Sequence, residues 1–160
     1  MRADPGSEPA SARAIALRLL ARRDFGRLEL AQRLRRRGVP HAEVEATLDD
    51  FERLGYLSDA RYAGALVTQR AGKLGKRAIA RDLQGKGIGA DIAKDALSAL
   101  DGRDEVADAT ALWQRRFGHA PADDREKSRQ VRFIVSRGYS ASIAFKVLRA
   151  AGEPGADTAD

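Results

Sequence analysis

The sequence repeats a glycine and its surroundings three times, at Gly38, Gly87 and Gly138. The glycines are 49 and 51 residues apart. Apolar residues occupy the same positions around each glycine, four before it, one after it and ten after it: Leu34, Val39 and Leu48; Leu83, Ile88 and Leu97; Ile134, Tyr139 and Leu148. A period of this length is typical of small units that bury their apolar sides against one another. We therefore expect a tandem array of three similar units.

Each unit shows the apolar spacing of amphipathic helices, and no convincing strand pattern is present. The predicted fold is all-α, an elongated array of three three-helix repeats with about nine helices. The predicted boundaries are residues 13–57, 58–101 and 102–151, with disordered tails at residues 1–12 and 152–160, which are rich in Pro, Gly, Ala and small polar residues.

Several residues have the chemistry of helix ends. The glycine of each repeat follows an apolar helix and a cation, which predicts a left-handed C-terminal stop. Ser58 and Ser140 are expected to be N-caps. Glu29 lies three residues after Gly26, which predicts half of a capping box at the start of the second helix.

Positive charge repeats with the same period. The net charge is +6 and the pI is about 10.0, which indicates a polyanionic partner. Residues 13–37, 61–88 and 111–149 carry net charges of +7, +6 and +6, whereas residues 41–60 and 89–110 carry −5 and −4. Two positions are basic in all three repeats: Arg37, Lys86 and Arg137 directly precede the glycines, and Arg27, Lys76 and Lys127 lie eleven residues before them.

Arginine forms two parallel hydrogen bonds to a phosphate, so these clusters predict contacts with nucleic acid. The candidate DNA-binding residues are Arg27, Arg33, Arg35, Arg36, Arg37, Lys76, Arg77, Arg81, Lys86, Lys127, Arg129, Arg132 and Arg137. Acidic third helices are candidates for contact with a partner protein, through Glu43, Glu45, Asp49, Asp50, Asp91 and Asp95. Trp113, Tyr62, Phe117 and Phe133 offer rings for base stacking, although their helical spacing favours packing in the core.

Little in the sequence indicates catalysis. His41 and His119 are the only histidines, and neither has a companion at a spacing that suggests a metal site or a catalytic base. The adjacent acidic pairs Asp49–Asp50 and Asp123–Asp124 would point in different directions on a helix, so neither pair can bind one atom together. No phosphate-binding GxxxxGK[ST] loop occurs. Cysteine is absent, which excludes disulfides and thiolate zinc sites. We expect a cytoplasmic monomer without cofactor or membrane span.

The chain resembles the RecX regulators of the RecA recombinase over about residues 13–150. Residues 54–63, LGYLSDARYA, are the most recognisable segment. The other matching segments are residues 16–23, 29–30, 34–38, 75–79, 85–88, 116–118, 132–134 and 137–140, together with Arg129. At Gly26 the family usually has Ser. The resemblance implies tandem three-helix units, no catalysis, binding to single- and double-stranded DNA, and association with the RecA–DNA filament that reduces its activity in repair, recombination and the SOS response.

Two other functions remain open at this level. Three short helices with a glycine turn also resemble a helix-turn-helix, which would make the chain a sequence-specific regulator that binds duplex DNA. The third possible function is a scaffold protein that does not bind nucleic acid. DNA binding with little base preference distinguishes the first function from the second, and any DNA binding argues against the third.

Overall fold

The computed structural model describes residues 10–153, and these residues form nine α-helices and no β-strand. The first repeat contains α1 (Ala12–Leu20), α2 (Arg27–Arg36) and α3 (His41–Arg53). The second contains α4 (Asp59–Arg70), α5 (Lys76–Gly85) and α6 (Ala90–Leu97), followed by a short 3₁₀ turn at Ser98–Leu100. The third contains α7 (Glu105–Arg116), α8 (Asp124–Ser136) and α9 (Ala141–Gly152). The prediction of three three-helix repeats is confirmed. Most of the residues predicted to form disordered tails, 1–9 and 154–160, lie outside the described residues.

Each repeat has its own apolar core, which the periodic residues fill. Leu34, Leu83 and Ile134, four residues before the glycines, are all completely buried. In the first repeat, Leu34 belongs to the same buried cluster as Val44 and Phe51 of α3. The extensive helix packing lies within the repeats, as between α4 and α6 or between α8 and α9. The apolar pattern therefore builds three small cores in series.

The three glycines that follow α2, α5 and α8 share a left-handed backbone conformation. Their φ angles are +82°, +75° and +97°, which only glycine adopts without strain. In the first repeat, the amide of Val39 donates to the carbonyl of Leu34 at 3.2 Å, and the corresponding bond in the second repeat joins Ile88 to Leu83 at 3.1 Å. This bond satisfies a carbonyl at the helix end, as in a Schellman motif. The predicted stops are confirmed.

Repeats 1 and 2 meet where α4 and the turn at Gly87 contact the start of α2; we call this contact the first junction. The Oδ1 atom of Asp59 accepts a hydrogen bond from the amide of Arg27 at 2.8 Å. A Cβ atom placed on Gly87 would lie 2.7 Å from the Leu28 side chain. The second repeat thus approaches the first turn of the middle helix in the first repeat.

Repeats 2 and 3 meet in a comparable way at the second junction, where the turn at Gly138 contacts the start of α5. The amide of Gly75 donates to the carbonyl of Arg137 at 2.7 Å. A Cβ atom on Gly75 would collide with the Gly138 carbonyl and would lie 2.7 Å from the Tyr139 amide nitrogen. Both junctions therefore place a glycine turn against the middle helix of the preceding repeat, at a distance that leaves no room for a side chain.

One helix start differs from its prediction. Ser58 and Ser140 cap α4 and α9 as expected, accepting from the amides three residues later. Glu29, however, forms no capping box. Its carboxylate binds Arg23 at 2.6 Å, and this hydrogen bond lowers the pKa of Glu29. The start of α2 is capped from the next repeat by Asp59, which the capping-box prediction did not include because it considered only neighbours in sequence.

Candidate nucleic-acid interface

The cation before each glycine occupies the same backbone position in all three repeats. Arg37, Lys86 and Arg137 are the C-caps of α2, α5 and α8, with φ/ψ angles of −92°/9°, −86°/3° and −85°/2°. A cation at this position interacts favourably with the negative end of the helix dipole. None of the three forms a salt bridge within residues 10–153. Three equivalent helix ends thus carry a cation, which is exposed at Arg37 and Arg137 and half-buried at Lys86.

The second basic position, eleven residues before each glycine, makes different contacts in the three repeats. Arg27 binds three carboxylates of α3, those of Glu45 (2.8 Å), Asp49 (2.8 Å) and Glu52 (3.0 Å). Partial burial opposes its charge, but the hydrogen bonds that Arg27 donates to these carboxylates outweigh that effect and raise the pKa of Arg27.

The other two residues at this position differ from Arg27 and from each other. Lys76 pairs with Asp101 at 3.1 Å. Lys127 has no such partner among the described residues, and its Nζ atom lies 5.9 Å from the centre of the Phe145 ring. Only the third repeat leaves this cation without a carboxylate.

The remaining candidates of α2 are partly neutralised. Arg33 lies 3.5 Å from Glu29, and Arg35 lies 3.5 Å from Glu45. Arg36 forms no salt bridge in the described chain. It lines, with Arg33 and Lys86, a cleft of about 230 Å³ between repeats 1 and 2. Cations from two repeats therefore meet at the first junction.

The cations of α5 are more accessible. Arg77 and Arg81 are both exposed, lie four residues apart on the helix and form no salt bridge with any described residue. Residues at this spacing share one face of a helix. This face of α5 therefore carries two exposed cations without a carboxylate partner among the described residues.

The third repeat contains a groove between the end of α7 and the outer side of α8. Arg116, Arg129 and Arg132 line it together with Phe117 and Phe133, and its volume is about 460 Å³. No Asp or Glu lines the groove, and its three arginines form no salt bridge within the described part of the chain. A neighbouring cleft of about 260 Å³ shares Arg116 and Phe133 with this groove and adds three further cations: Lys73, Arg115 and Arg137.

The sequence prediction named Arg129, Arg132 and Arg137 but not Lys73, Arg115 and Arg116. A usable signal was present, because Arg115 and Arg116 are an adjacent pair in the last turn of α7. What the sequence did not indicate is that the end of this helix lies beside α8. Phe117 and Phe133 both pack on the core of the third repeat and line the groove.

A buried hydrogen-bond chain connects the core of the third repeat to this groove. The indole Nε1–H of Trp113 donates to Oε1 of Gln130 at 2.7 Å. The Nε2 atom of Gln130, which is completely buried, donates to the backbone carbonyl of His119 at 3.3 Å. His119 lines the groove, and its Nδ1 atom lies 3.6 Å from Oε1 of Glu126. Gln130 was missed because an isolated Gln in a helix carries no sequence signal.

Half of the acidic candidates are engaged within the chain. Glu45 and Asp49 bind Arg27, and Asp50 binds Arg13 at 2.7 Å as well as Arg53. Three others are exposed and form no salt bridge within residues 10–153: Glu43, Asp91 and Asp95. The described residues hold no group of three or more His, Asp or Glu side chains suited to a metal ion. They also include no helix long and apolar enough to span a bilayer.

Comparison with known proteins matches the three repeats one by one. Family models described as the first, second and third three-helix domains of RecX match residues 12–51, 58–97 and 103–148. The Regulatory protein RecX of Leptothrix cholodnii is 46% identical over 136 residues, which cover 85% of this chain and 86% of that protein. The Regulatory protein RecX of Ralstonia pickettii is 37% identical, with 91% of each chain covered.

The fold is also found in a solved structure. The crystal structure of RecX from Lactobacillus salivarius superposes with a TM-score of 0.71 at 20% identity, covering 88% of this chain and 94% of that one. The order of the repeats, the length of the match and the sequence identity to the two regulatory proteins lead to one conclusion: this chain belongs to the RecX family.

Proposed function

We propose that this chain is a non-enzymatic regulator that binds the RecA–DNA filament and reduces its ATP hydrolysis and strand exchange. Relatives that match most of the chain carry the name Regulatory protein RecX, which supports a regulatory role. Such a regulator acts by binding one state of a filament more tightly than another, and it needs no catalytic group for this.

The observation that carries the DNA-binding part of the proposal is the repeated C-cap cation. Arg37, Lys86 and Arg137 have the same backbone geometry and lack salt bridges within the described residues. A regularly charged backbone such as that of DNA matches cations that recur at equivalent places in a tandem array. Contacts of this kind position a protein on DNA without reading its sequence.

The acidic residues without a salt bridge are the proposed contact with the recombinase itself. Asp91 and Asp95 lie four residues apart on α6 and are exposed. Glu43 occupies the first turn of α3 in the first repeat. Exposed acidic residues in addition to the basic ones would allow one chain to contact both DNA and a basic protein surface.

The direct test adds the purified chain to RecA assembled on single-stranded DNA and follows ATP hydrolysis and strand exchange. Both rates should fall in a dose-dependent way. Unchanged rates at a saturating amount of the chain would refute the proposed regulation. DNA binding is measured separately with competitor DNA of random sequence, which should compete nearly as well as any selected duplex.

A charge-reversal pair tests the basic face of α5. Arg77→Glu combined with Arg81→Glu should weaken DNA binding and reduce the slope of log K against log salt by about two, if each arginine contacts one phosphate. Arg18→Glu combined with Arg22→Glu changes the net charge equally and is the matched control, because both residues are exposed in the first repeat outside the proposed surface. Equal slopes for the two variants would show that only net charge matters.

A further inference from the structure

The groove of the third repeat combines two chemical features, positive charge and aromatic rings, and it carries two rings where the neighbouring cleft carries one. Arg116, Arg129 and Arg132 supply positive charge without a carboxylate in the lining. Phe117 and Phe133 supply aromatic rings at the same place, with ring centres 5.4 Å apart and planes at 88°. By contrast, no aromatic residue lines the cleft at the first junction.

Three guanidinium groups lie over the two rings. The guanidinium carbons of Arg116 and Arg129 lie 5.5 and 5.6 Å from the centre of the Phe117 ring, within the range of a cation–π contact. That of Arg137 lies 5.1 Å from the centre of the Phe133 ring. A guanidinium held on a ring in this way is a planar, cationic surface on which another planar group can stack.

The ligand that uses both features is a single strand of nucleic acid. A free phosphate engages the charge and leaves the planar layer unused. A base-paired duplex presents phosphates, but its bases are stacked on one another and cannot reach the layer. A single strand offers phosphates and unpaired bases together, and base stacking on planar side chains tolerates any sequence.

We propose that this groove is a single-strand site in which Arg116, Arg129 and Arg132 bind phosphates and a base stacks on the guanidinium–phenyl layer of Arg129 and Phe117. The inference rests on the proposed function only for the choice of nucleic acid as the polyanion. It adds a strand preference and assigns that preference to one repeat.

The chain carries a built-in reporter for this groove. Trp113 is the only tryptophan, and its hydrogen-bond chain through Gln130 ends at the carbonyl of His119, which lines the groove. Occupation of the groove should therefore change the intrinsic fluorescence, so that affinity can be measured on the unlabelled full chain.

The experiment titrates the chain with three probes of equal phosphate number: an oligothymidylate, an abasic backbone of the same length and a hairpin duplex. Oligothymidylate should bind about tenfold more tightly than the abasic backbone, which corresponds to one stacked base. Arg129→Lys keeps the charge but removes the planar group, and it should abolish most of this difference. Arg18→Lys, in the first repeat, is the matched control and should leave the difference intact.

Two results would overturn the proposal: equal affinity for oligothymidylate and the abasic backbone, or an unchanged preference in Arg129→Lys. Phe117→Leu serves as a second variant, since it removes the ring beneath the guanidinium groups while keeping an apolar side chain for the core. The proposed regulation of RecA can be refuted independently of this site. If RecA activity is unaffected while the tenfold difference persists, the single-strand site stands alone; if the difference is absent while RecA is inhibited, only the single-strand site is refuted.

Discussion

The second junction makes a specific prediction for Gly75→Ala. Gly75 has a φ of −75° and a ψ of 161°, which alanine adopts without strain, so the backbone conformation itself does not oppose the change. The added methyl group would instead collide with the Gly138 carbonyl and the Tyr139 amide, and backbone atoms cannot rotate away as a flexible side chain does.

The cost can be worked out from these contacts. Inserting a methyl group into a packed site costs about 1–3 kcal/mol. If the repeats separate to relieve the collision, the hydrogen bond from Gly75 to the Arg137 carbonyl is also lost, at about 1 kcal/mol. We therefore expect Gly75→Ala to lower the free energy of unfolding by about 2–4 kcal/mol beyond the effect of removing a helix-capping glycine.

Gly89→Ala measures the effect of removing a helix-capping glycine by itself. Gly89 is also an N-cap, with φ −60° and ψ 151°, but no atom lies within 4 Å of a Cβ placed there. Urea unfolding of both variants, followed by helical circular dichroism and by Trp113 fluorescence, gives the difference directly. If Gly75→Ala unfolds at the same urea concentration as Gly89→Ala, the close contact between the turn and α5 does not contribute to stability, and the reasoning is wrong.

Three further predictions concern buried or junction polar groups. Gln130→Leu leaves the Trp113 indole N–H buried without an acceptor and should cost about 1–3 kcal/mol of unfolding free energy, with a change in tryptophan emission. Tyr139→Phe removes a hydroxyl group that is buried without a partner in the described residues, so urea unfolding should show equal or greater stability. Burial, and then the charge of nearby Asp108, raise the pKa of Tyr139 to about 12, above its unfolded value near 10. The free energy of unfolding should therefore not depend on this group below pH 10 and should fall as the pH rises from 10 towards 12, because the unfolded chain loses the phenol proton first. Unfolding of Tyr139→Phe, measured against pH, should lack this fall. Asp59→Ala removes the cap of α2 and should cost about 1 kcal/mol, with faster hydrogen exchange at the Arg27 amide as the local readout.

The repeat architecture could be predicted because it depends on local chemistry. A left-handed helix stop needs glycine whatever surrounds it, and an amphipathic helix shows its buried side through spacing alone. Ser58 and Ser140 were identifiable as caps for the same reason, since a cap bonds an amide only a few residues away. Each of these features is fixed by residues within one or two helical turns.

The candidate site was only partly predictable, because charge in sequence does not show which charges are neutralised. Arg27 and Lys127 occupy the same repeat position, yet Arg27 binds three carboxylates of α3, whereas Lys127 forms no salt bridge with any described residue. The cap of α2 by Asp59 and the groove lined by Arg116 and Arg129 likewise depend on elements that are distant in sequence.

The sequence by itself determined the number of repeats, their three helices, their turns and the cation at each C-cap, because these follow from contacts between near neighbours. The tertiary structure alone decided how the repeats dock, which arginines remain without a carboxylate and where charge meets aromatic rings. The physical reason is that ion pairing and groove shape depend on distances between helices, which periodicity along the chain does not specify.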